Sequence, residues 1–571
     1  MNLEYILIVL VLAGIVGGGI LWGLRGQEEP LGEFPQIKSP EKTEDGKIDT
    51  ADQFRNQTIN FVRKVAENYF DGEVIEYPEE LEIKGNWELQ IIIYYQGEIK
   101  GEGIGKDETL SLALEEATKI ALSDKRAQKL TKINLKEAKI LVKFFYPPNQ
   151  FSFIESNGEG KELITDLVAI REVDKELIGQ KIEQGKEFLY RMMDEEEYGF
   201  HKKYDVLNDD FENRLHTVYS ASIIYTFLYI YDLEGDKEIL EHLADWGNFL
   251  LSMQNKNKED ERYGAFHYSF YLDSKEREKK FVVGTSALSI FTLLRLYNVT
   301  DDSRYLESAK LAGNWLTTMQ EPDGSMKAYL KYSNGEWVYG TKESLLYNGQ
   351  VLSALSKLYR ATGDKKYYDT AKRIAQRFRE KYEKEKGYIQ GEYRSKNPIS
   401  NSWVVMSLMD FYKAEDNILD KAGYKNIIFE LSEKILENQQ KNTDDLLYHG
   451  GWAGAYSTSG TGWISEVMAE TYRFCNKERG EDCDKYKDSV IKAIRWLIQN
   501  TYSEENTFFL KNPEKAIGGV FWNGLHKYVR TDSVCHALNS YVIIMEDLGD
   551  GLLLSIPEES LEVILNELKK L

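Results

Sequence analysis

Leu355-Ser-Lys-Leu-Tyr359-Arg-Ala-Thr-Gly-Asp364-Lys-Lys-Tyr-Tyr368 ends one helix, turns a corner and starts another within a few residues. Glycine at 363 suits the left-handed position just past a helix end, and Asp364 is placed to cap the next helix by accepting from its free amide N–H groups. Similar corners recur at Ile230-Tyr-Asp-Leu-Glu-Gly-Asp236, Leu296-Tyr-Asn-Val-Thr-Asp-Asp302, Phe411-Tyr-Lys-Ala-Glu-Asp-Asn417, Thr471-Tyr472-Arg-Phe and Ile544-Met-Glu-Asp-Leu-Gly-Asp550. Tyr231, Tyr297, Tyr359, Tyr412 and Tyr472 fall about 53 to 66 residues apart, and self-similarity at a nearly fixed period marks a repeat architecture.

Working outward from the corners, apolar periodicity predicts helices near 177–193, 215–233, 236–255, 283–298, 302–319, 344–361, 365–384, 401–414, 422–439, 461–476, 484–501 and 532–547. These pair into hairpins. In each, a long aromatic and Gly-rich loop follows the first helix and a Tyr-containing corner follows the second. Units joined head to tail bury their apolar faces by closing, so the expected fold is mostly α, an (α/α)6 toroid over residues 175–571. The second helix of each pair is small or apolar nearly all round, as in Val282-Val-Gly-Thr-Ser-Ala-Leu-Ser-Ile-Phe291, and reads as the inner ring; the first is amphipathic and outer.

Ahead of the toroid the pattern changes. Residues 5–24 are uncharged and long enough to cross a bilayer, so residues 1–25 read as a single-pass anchor, with a cleaved signal peptide as the rival. Gly14, Gly18, Gly19 and Gly23 have the spacing that packs two anchors into a homodimer. Arg25 alone favours a cytoplasmic toroid. Cys475 and Cys483, bracketing a polar corner, and Asn-x-Thr sequons at Asn56 and Asn298 point to the extracytoplasmic side, which is the expectation here. Residues 26–49 read as a tether. Residues 50–172 read as a small α+β domain: a helix through Phe54 and Phe70, a strand over Trp87–Tyr95, a helix over Leu110–Leu122 and a strand over Leu135–Phe145. Within it, Tyr95-Gln-Gly-Glu-Ile-Lys-Gly-Glu-Gly-Ile-Gly105, a helix ending Ala-Leu-Ser-Asp124-Lys-Arg126, and Leu135-Lys-Glu-Ala-Lys-Ile-Leu-Val-Lys-Phe resemble the AMME chromosomal-region protein family. That family's Gly-Cys-Ile-Gly loop appears here as Gly101-Glu-Gly-Ile-Gly105 without the cysteine, so the resemblance implies a fold and no activity. The Gly-rich segment itself reads as a turn, with an anion cradle as the alternative.

With 94 acidic against 72 basic residues in 571, the chain disfavours nucleic acid as a partner. No Cys-x-x-Cys or His-Glu-x-x-His spacing occurs, so neither metal nor cofactor is expected. The long loops gather around the inner-helix N-termini, where free N–H groups favour a polar ligand, and they are rich in rings that stack on sugar C–H faces. Four clusters carry the candidate chemistry. Arg530-Thr-Asp532-Ser-Val-Cys-His536 opens the sixth inner helix with an acid/base pair on one face and a cation for a carboxylate. Tyr448-His449-Gly-Gly-Trp452-Ala-Gly-Ala-Tyr456, followed by Gly462-Trp463-Ile-Ser-Glu466, sets rings, a histidine and a carboxylate around approachable backbone. Glu343, Tyr347 and Asn348 open the third inner helix, and His216 the first. Trp522 joins the aromatic set. Each cluster has a purely structural reading beside it: caps, packed loops or a satisfied core histidine.

The Leu-x-x-Leu-Tyr-x-x-Thr-Gly-Asp corner, Gln320-Glu-Pro-Asp-Gly-Ser325 and the Gly-Gly-Trp loop resemble the six-hairpin toroids of unsaturated glucuronyl hydrolases, N-acylglucosamine epimerases and glucuronyl epimerases. The resemblance implies a carbohydrate-active protein of hydrolase, lyase or epimerase class acting on a glycan. Asp532, His536, Glu343, Glu466 and His449 would then do chemistry, and Arg530, Tyr347, Asn348, Trp452, Tyr456, Trp463, Trp522 and His216 would bind. Two other classes stay open: a non-catalytic toroid binding a glycan or protein in the same cleft, and an isoprenoid cyclase relative, which predicts an apolar cavity with an acidic mouth.

Overall fold

The computed structural model describes residues 51–72, 74–95, 98–144, 161–165, 170–443, 448–453, 455, 457–507, 510–523 and 528–557. The expected anchor, tether and Tyr456 lie outside them. Among the described residues no helix is long and apolar enough to cross a membrane.

The small domain is a four-stranded antiparallel sheet with two helices on one face. Helices α1 (Ala51–Asp71) and α2 (Leu110–Ser123) cover strands β1 (Lys84–Tyr95), β2 (Glu98–Thr109), β3 (Lys139–Phe144) and β4 (Lys161–Thr165), in spatial order β2-β1-β3-β4. Leu89, Ile91 and Ile93 alternate onto the helical face and meet Val62, Val65 and Leu114. The Gly101-Glu-Gly-Ile-Gly105 segment is strand and neither turn nor anion cradle. A Cβ on Gly101, Gly103 or Gly105 would stand 2.2, 2.1 and 2.1 Å from the carbonyl oxygens of Ala121, Ala117 and Ala113. Glycine on every second strand residue lets α2 lie directly on the β2 backbone.

The toroid follows. Its outer helices are α3 (Lys175–Arg191), α5 (Lys237–Ser252), α7 (Ser303–Thr318), α9 (Lys365–Glu385), α11 (Ile418–Glu437) and α13 (Asp484–Gln499). Its inner helices are α4 (Thr217–Glu234), α6 (Val283–Thr300), α8 (Leu345–Thr362), α10 (Ile399–Tyr412), α12 (Thr458–Glu478) and α14 (Thr531–Met545). Each inner helix packs on the next and α14 packs back on α4, so the ring is closed. The corners are built as the residues require: Gly235, Asp301 and Gly363 are left-handed at the ends of α4, α6 and α8. Asp236, Asp302 and Asp364 then accept from the first-turn N–H groups of α5, α7 and α9, caps each contributing about 1 kcal/mol. The fifth corner lies where Cys475 and Cys483 bracket it. Helix α12 runs past Tyr472 to Glu478, and the turn beyond it is closed by a disulfide between Cys475 and Cys483.

Two recurring devices hold the loops. Gln254, Gln320 and Gln439, just past outer-helix ends, each donate to a loop glycine carbonyl (Gly264, Gly324, Gly450) and to a carbonyl of the next outer helix (Ser308, Thr370, Ser489), over 2.8–3.3 Å. Those glycines and Gly518 have φ between +85° and +94°, and a Cβ on each would strike a carbonyl oxygen of an outer helix: Leu311, Arg373, Lys492 and, for Gly518, Gln184 of α3. The sixth loop is thereby seated on the first outer helix. In the first four loops, Ser220, Ser286, Asn348 and Asn401 of the inner helices accept from the backbone N–H of Phe200, Phe266, Met326 and Ile389 over 2.9–3.2 Å. These bonds pin the loops to one rim.

Candidate active site

Inside the inner ring lies a cavity of about 340 Å³ opening at the loop-bearing rim. Its wall follows helical periodicity: Val218, Ser222, Tyr225 and Tyr229 on α4, and Ser459, Trp463, Glu466 and Glu470 on α12, recur at i, i+4, i+7 and i+11. Eleven residues at 1.5 Å each make the lined stretch about 16 Å deep.

Three levels can be distinguished. At the mouth, Arg530 Nε and Nη2 grip Asp532 at 3.0 and 2.7 Å, and Ser459 Oγ donates to the same carboxylate at 2.9 Å. Nη2 also donates to the Tyr219 hydroxyl at 2.7 Å, and the Arg530 guanidinium lies 4.1 Å from the centre of Trp522. Burial opposes charge on Arg530, but Asp532 outweighs it and holds the guanidinium firmly protonated.

In the middle, His536 Nδ1 meets Glu466 Oε2 at 2.8 Å. Its Nε2 has no partner among the described residues, and the ring, 22% exposed, faces the cavity. A carboxylate on one imidazole nitrogen fixes the tautomer and leaves the other nitrogen as a proton acceptor. Trp463 packs its edge against this ring at 5.2 Å and stacks face to face with Trp403 at 3.8 Å. Gln350 Oε1, Asn539 Oδ1 and Trp463 Nε1, all on wall residues, are buried without partners among the described residues. Unpaired buried polar atoms are costly, so these three are left to hydrogen-bond whatever fills the cavity, water or ligand.

The floor is ionic. Lys357 Nζ lies 2.8 Å from Asp410 Oδ1, the Ser353 hydroxyl also donates to Asp410, and the Tyr225 and Tyr229 hydroxyls are 3.4 Å apart. Burial opposes the Asp410 charge, yet Lys357 and Lys413 hold that carboxyl below its usual range.

Of the residues singled out in the sequence, Asp532, His536, Glu466, Arg530, Tyr347, Trp463 and Trp522 share this cavity. The others stand elsewhere. Glu343 is clamped by Arg377 at 2.6 Å and Lys381 at 2.6 Å, outside the ring. Asn348 is one of the four loop pins and also donates to Glu343. Trp452 is fully buried with its Nε1 on the Ile435 carbonyl, filling the place that Phe200, Phe266 and Met326 fill in other repeats. His449 is buried near Arg495 and Lys492; desolvation first, then those cations, push it down to about 4. His216 is wholly buried behind Tyr219 and Tyr268, bonded to Glu212 at 3.2 Å. Tyr219, Arg394, Trp403, Lys357, Asp410 and Glu470 were not singled out. The hydroxyl stripe on otherwise apolar α4 was a usable signal for the first inner helix.

The family model of Glycosyl hydrolase family 76 matches residues 285–402, from α6 into α10. Over 65% of this chain and 100% of its own, cellobiose 2-epimerase from Bacillus thermoamylovorans superposes with a TM-score of 0.51 at 12% identity. A sugar epimerase from a ruminal bacterium does so over 66% and 100%, with a TM-score of 0.50 at 13% identity. No curated protein matches the chain by sequence. The toroid has the six-hairpin glycosidase-like fold.

Proposed function

We propose that the toroid is a sugar epimerase or isomerase in which His536 Nε2 takes the C2 proton of an open-chain sugar to give an enediol. The proton returns either to the former carbonyl carbon, giving the isomer, or to the other face of C2 after the enediol turns about its C2–C3 bond, giving the epimer. The observation that carries this reading is the Glu466–His536 pair, with Nδ1 held at 2.8 Å and Nε2 bare in the cavity. The carboxylate offsets the positive charge that the ring gains on accepting a proton. The stacked Trp403 and Trp463 offer a face for the sugar ring, and Gln350 and Asn539 offer partners for its hydroxyls. The two solved structures compared above are of sugar epimerases, which fits. Glu343 and His449 have no place in this mechanism, being spent on loop contacts and packing.

A hydrolase is the second reading, favoured by two carboxylates, Asp532 and Glu466, on one cavity and by the glycosyl hydrolase match. Against it, both oxygens of Asp532 already accept from Arg530 and Ser459, leaving none free to protonate a leaving group. An isoprenoid cyclase is disfavoured by the ionic floor. The test incubates the protein with a panel of aldoses and short glycans, following both C2 configuration and new reducing ends. Epimer formation that is lost in His536→Gln supports the proposal. New reducing ends without epimers would replace it with the hydrolase reading, and binding without turnover with the non-catalytic one. We further infer that the toroid works outside the cytoplasm, anchored through residues 5–24, since the Cys475–Cys483 bond suits an oxidising compartment. Degradation of the toroid by protease added to intact cells is the expected result, and full protection would refute it.

A further inference from the structure

Arg394 differs from the other cations of the cavity. Lys357 and Lys413 share Asp410, and Arg530 is gripped by Asp532. Arg394 lines the same cavity, yet no carboxylate among the described residues comes within ion-pairing distance of it. Its guanidinium instead lies 5.6 and 5.7 Å from the centres of the Tyr347 and Tyr393 rings and hydrogen-bonds to both side chains. The backbone is unusual as well: Arg394 has φ +49°, a left-handed conformation that a branched or long side chain adopts only where the surroundings impose it. The surroundings here are identifiable. The N–H groups of Glu392 and Tyr393 both donate to the Glu343 carbonyl, at 3.0 and 2.9 Å, and the Glu343 side chain is tied to Arg377 and Lys381 of α9. A rigid ionic pin therefore holds a strained loop so that its arginine reaches the mouth.

A second cation without a carboxylate partner flanks the same cavity. Lys280 Nζ is 3.9 Å from the centre of Tyr268, itself a cavity-wall ring, and no carboxylate among the described residues pairs with it. Glu278, two residues away along the chain, is occupied by the Ser269 hydroxyl at 2.6 Å and by Arg214 at 3.7 Å. Burial holds the Lys280 ammonium below its ordinary range, and Tyr268, the ring it sits over, lines the same cavity as Arg394. In a chain of net charge −22, two cations without carboxylate partners, one on the cavity wall and one over a wall ring, stand out from their background.

The geometry points to a subsite for an anionic substituent of the sugar, a carboxylate, phosphate or sulfate, bound by the Arg394 guanidinium with Lys280 beside it. This deepens the reading of the cavity as a sugar site and rests on it. Arginine presents a planar fork of donors matched to two oxygens of an oxyanion, and the flanking tyrosine rings keep it from collapsing onto the protein's own acids. Neutral sugars would leave both charges without an anionic partner.

The test is calorimetric binding to the intact protein of D-glucuronate, D-glucose 6-phosphate and N-acetylglucosamine 6-sulfate, each against its neutral parent, D-glucose or N-acetylglucosamine. At least one anionic probe is expected to bind tenfold or more tighter than its parent, an advantage that shrinks as salt is raised. Which probe wins identifies the substituent. Arg394→Gln should reduce that advantage to twofold or less without changing the affinity of the neutral parent, and Arg394→Lys should retain part of it. An unchanged preference in Arg394→Gln overturns the subsite. Neutral sugars binding as tightly as every anionic probe overturn it too, while leaving the sugar cavity standing. Absence of binding by the whole panel overturns both.

Discussion

Replacing Gly518 with alanine attacks the seam where the toroid closes. Gly518 has φ +85°, and a Cβ there would stand 1.9 Å from the carbonyl oxygen of Gln184 and 2.4 Å from its carbon, backbone atoms of the first outer helix. Placing a side chain in the left-handed region costs about 1 to 2 kcal/mol, and forcing the loop off α3 about 1 to 3 more, so about 3 kcal/mol is expected. At roughly 2.1 cal/mol/K per residue, a toroid of about 390 residues has an unfolding entropy near 0.8 kcal/mol/K, which makes the shift in Tm about 4 °C. Gly235→Ala is the control, because Gly235 is also left-handed, φ +70°, with nothing within 4 Å of the new atom. It should lose only about 1 to 2 °C. Scanning calorimetry of both variants beside the parent reads the difference directly. If Gly518→Ala is no worse than Gly235→Ala, the sixth loop does not bear on the first helix and the reasoning about closure is wrong.

Further expectations follow from the residues outside the cavity. Ordinary histidine titrates near 6.5 and folded His449 near 4. The unfolded chain therefore takes up that proton first, and stability falls as pH drops from about 6.5 towards 4, by up to about 3 kcal/mol. Urea midpoints of His449→Phe should lack that part of the acid slope; an identical slope would contradict the placement. Glu343 is driven below its ordinary 4.5 by Arg377 and Lys381 against the opposing effect of burial, so its contribution is complete above that pH and is lost as pH falls through the folded value. Glu343→Gln should cost about 3 kcal/mol in chemical denaturation at pH 7, and a change under 0.5 kcal/mol would count against the clamp.

Fold and site were unequally legible. The corner chemistry of Gly363-Asp364 and its repeats is local, so helix limits follow to within a few residues, and the apolar character of α4, α6 and α10 marks them as inner. Glycine is ambiguous by itself: Gly101, Gly103 and Gly105 read as a turn because the helix that needs their missing side chains is visible only after folding. The same holds for the site. Asp532 and His536 lie four apart on one helix face and could be paired with the cavity from the sequence, whereas Glu466 reaches His536 across 70 positions. Asn348, Trp452 and Glu343 carry the residue types of a binding site, but the repeat uses those positions for pinning loops, and a period of about 60 residues with varied identities hides that equivalence. Arg394 has no pattern to announce it; only its loop's attachment to Glu343 brings it to the rim.

The account turns on proton transfer at His536, and exchange with solvent tests that most directly. Incubation with the best-bound sugar in deuterium oxide, followed by mass spectrometry of recovered sugar, should show one deuterium at the carbon beside the carbonyl. The label should vanish in His536→Gln and fall by about 100-fold or more in Glu466→Gln, as expected for a general base and its orienting carboxylate. Turnover without deuterium, or labelling that survives in His536→Gln, would contradict it.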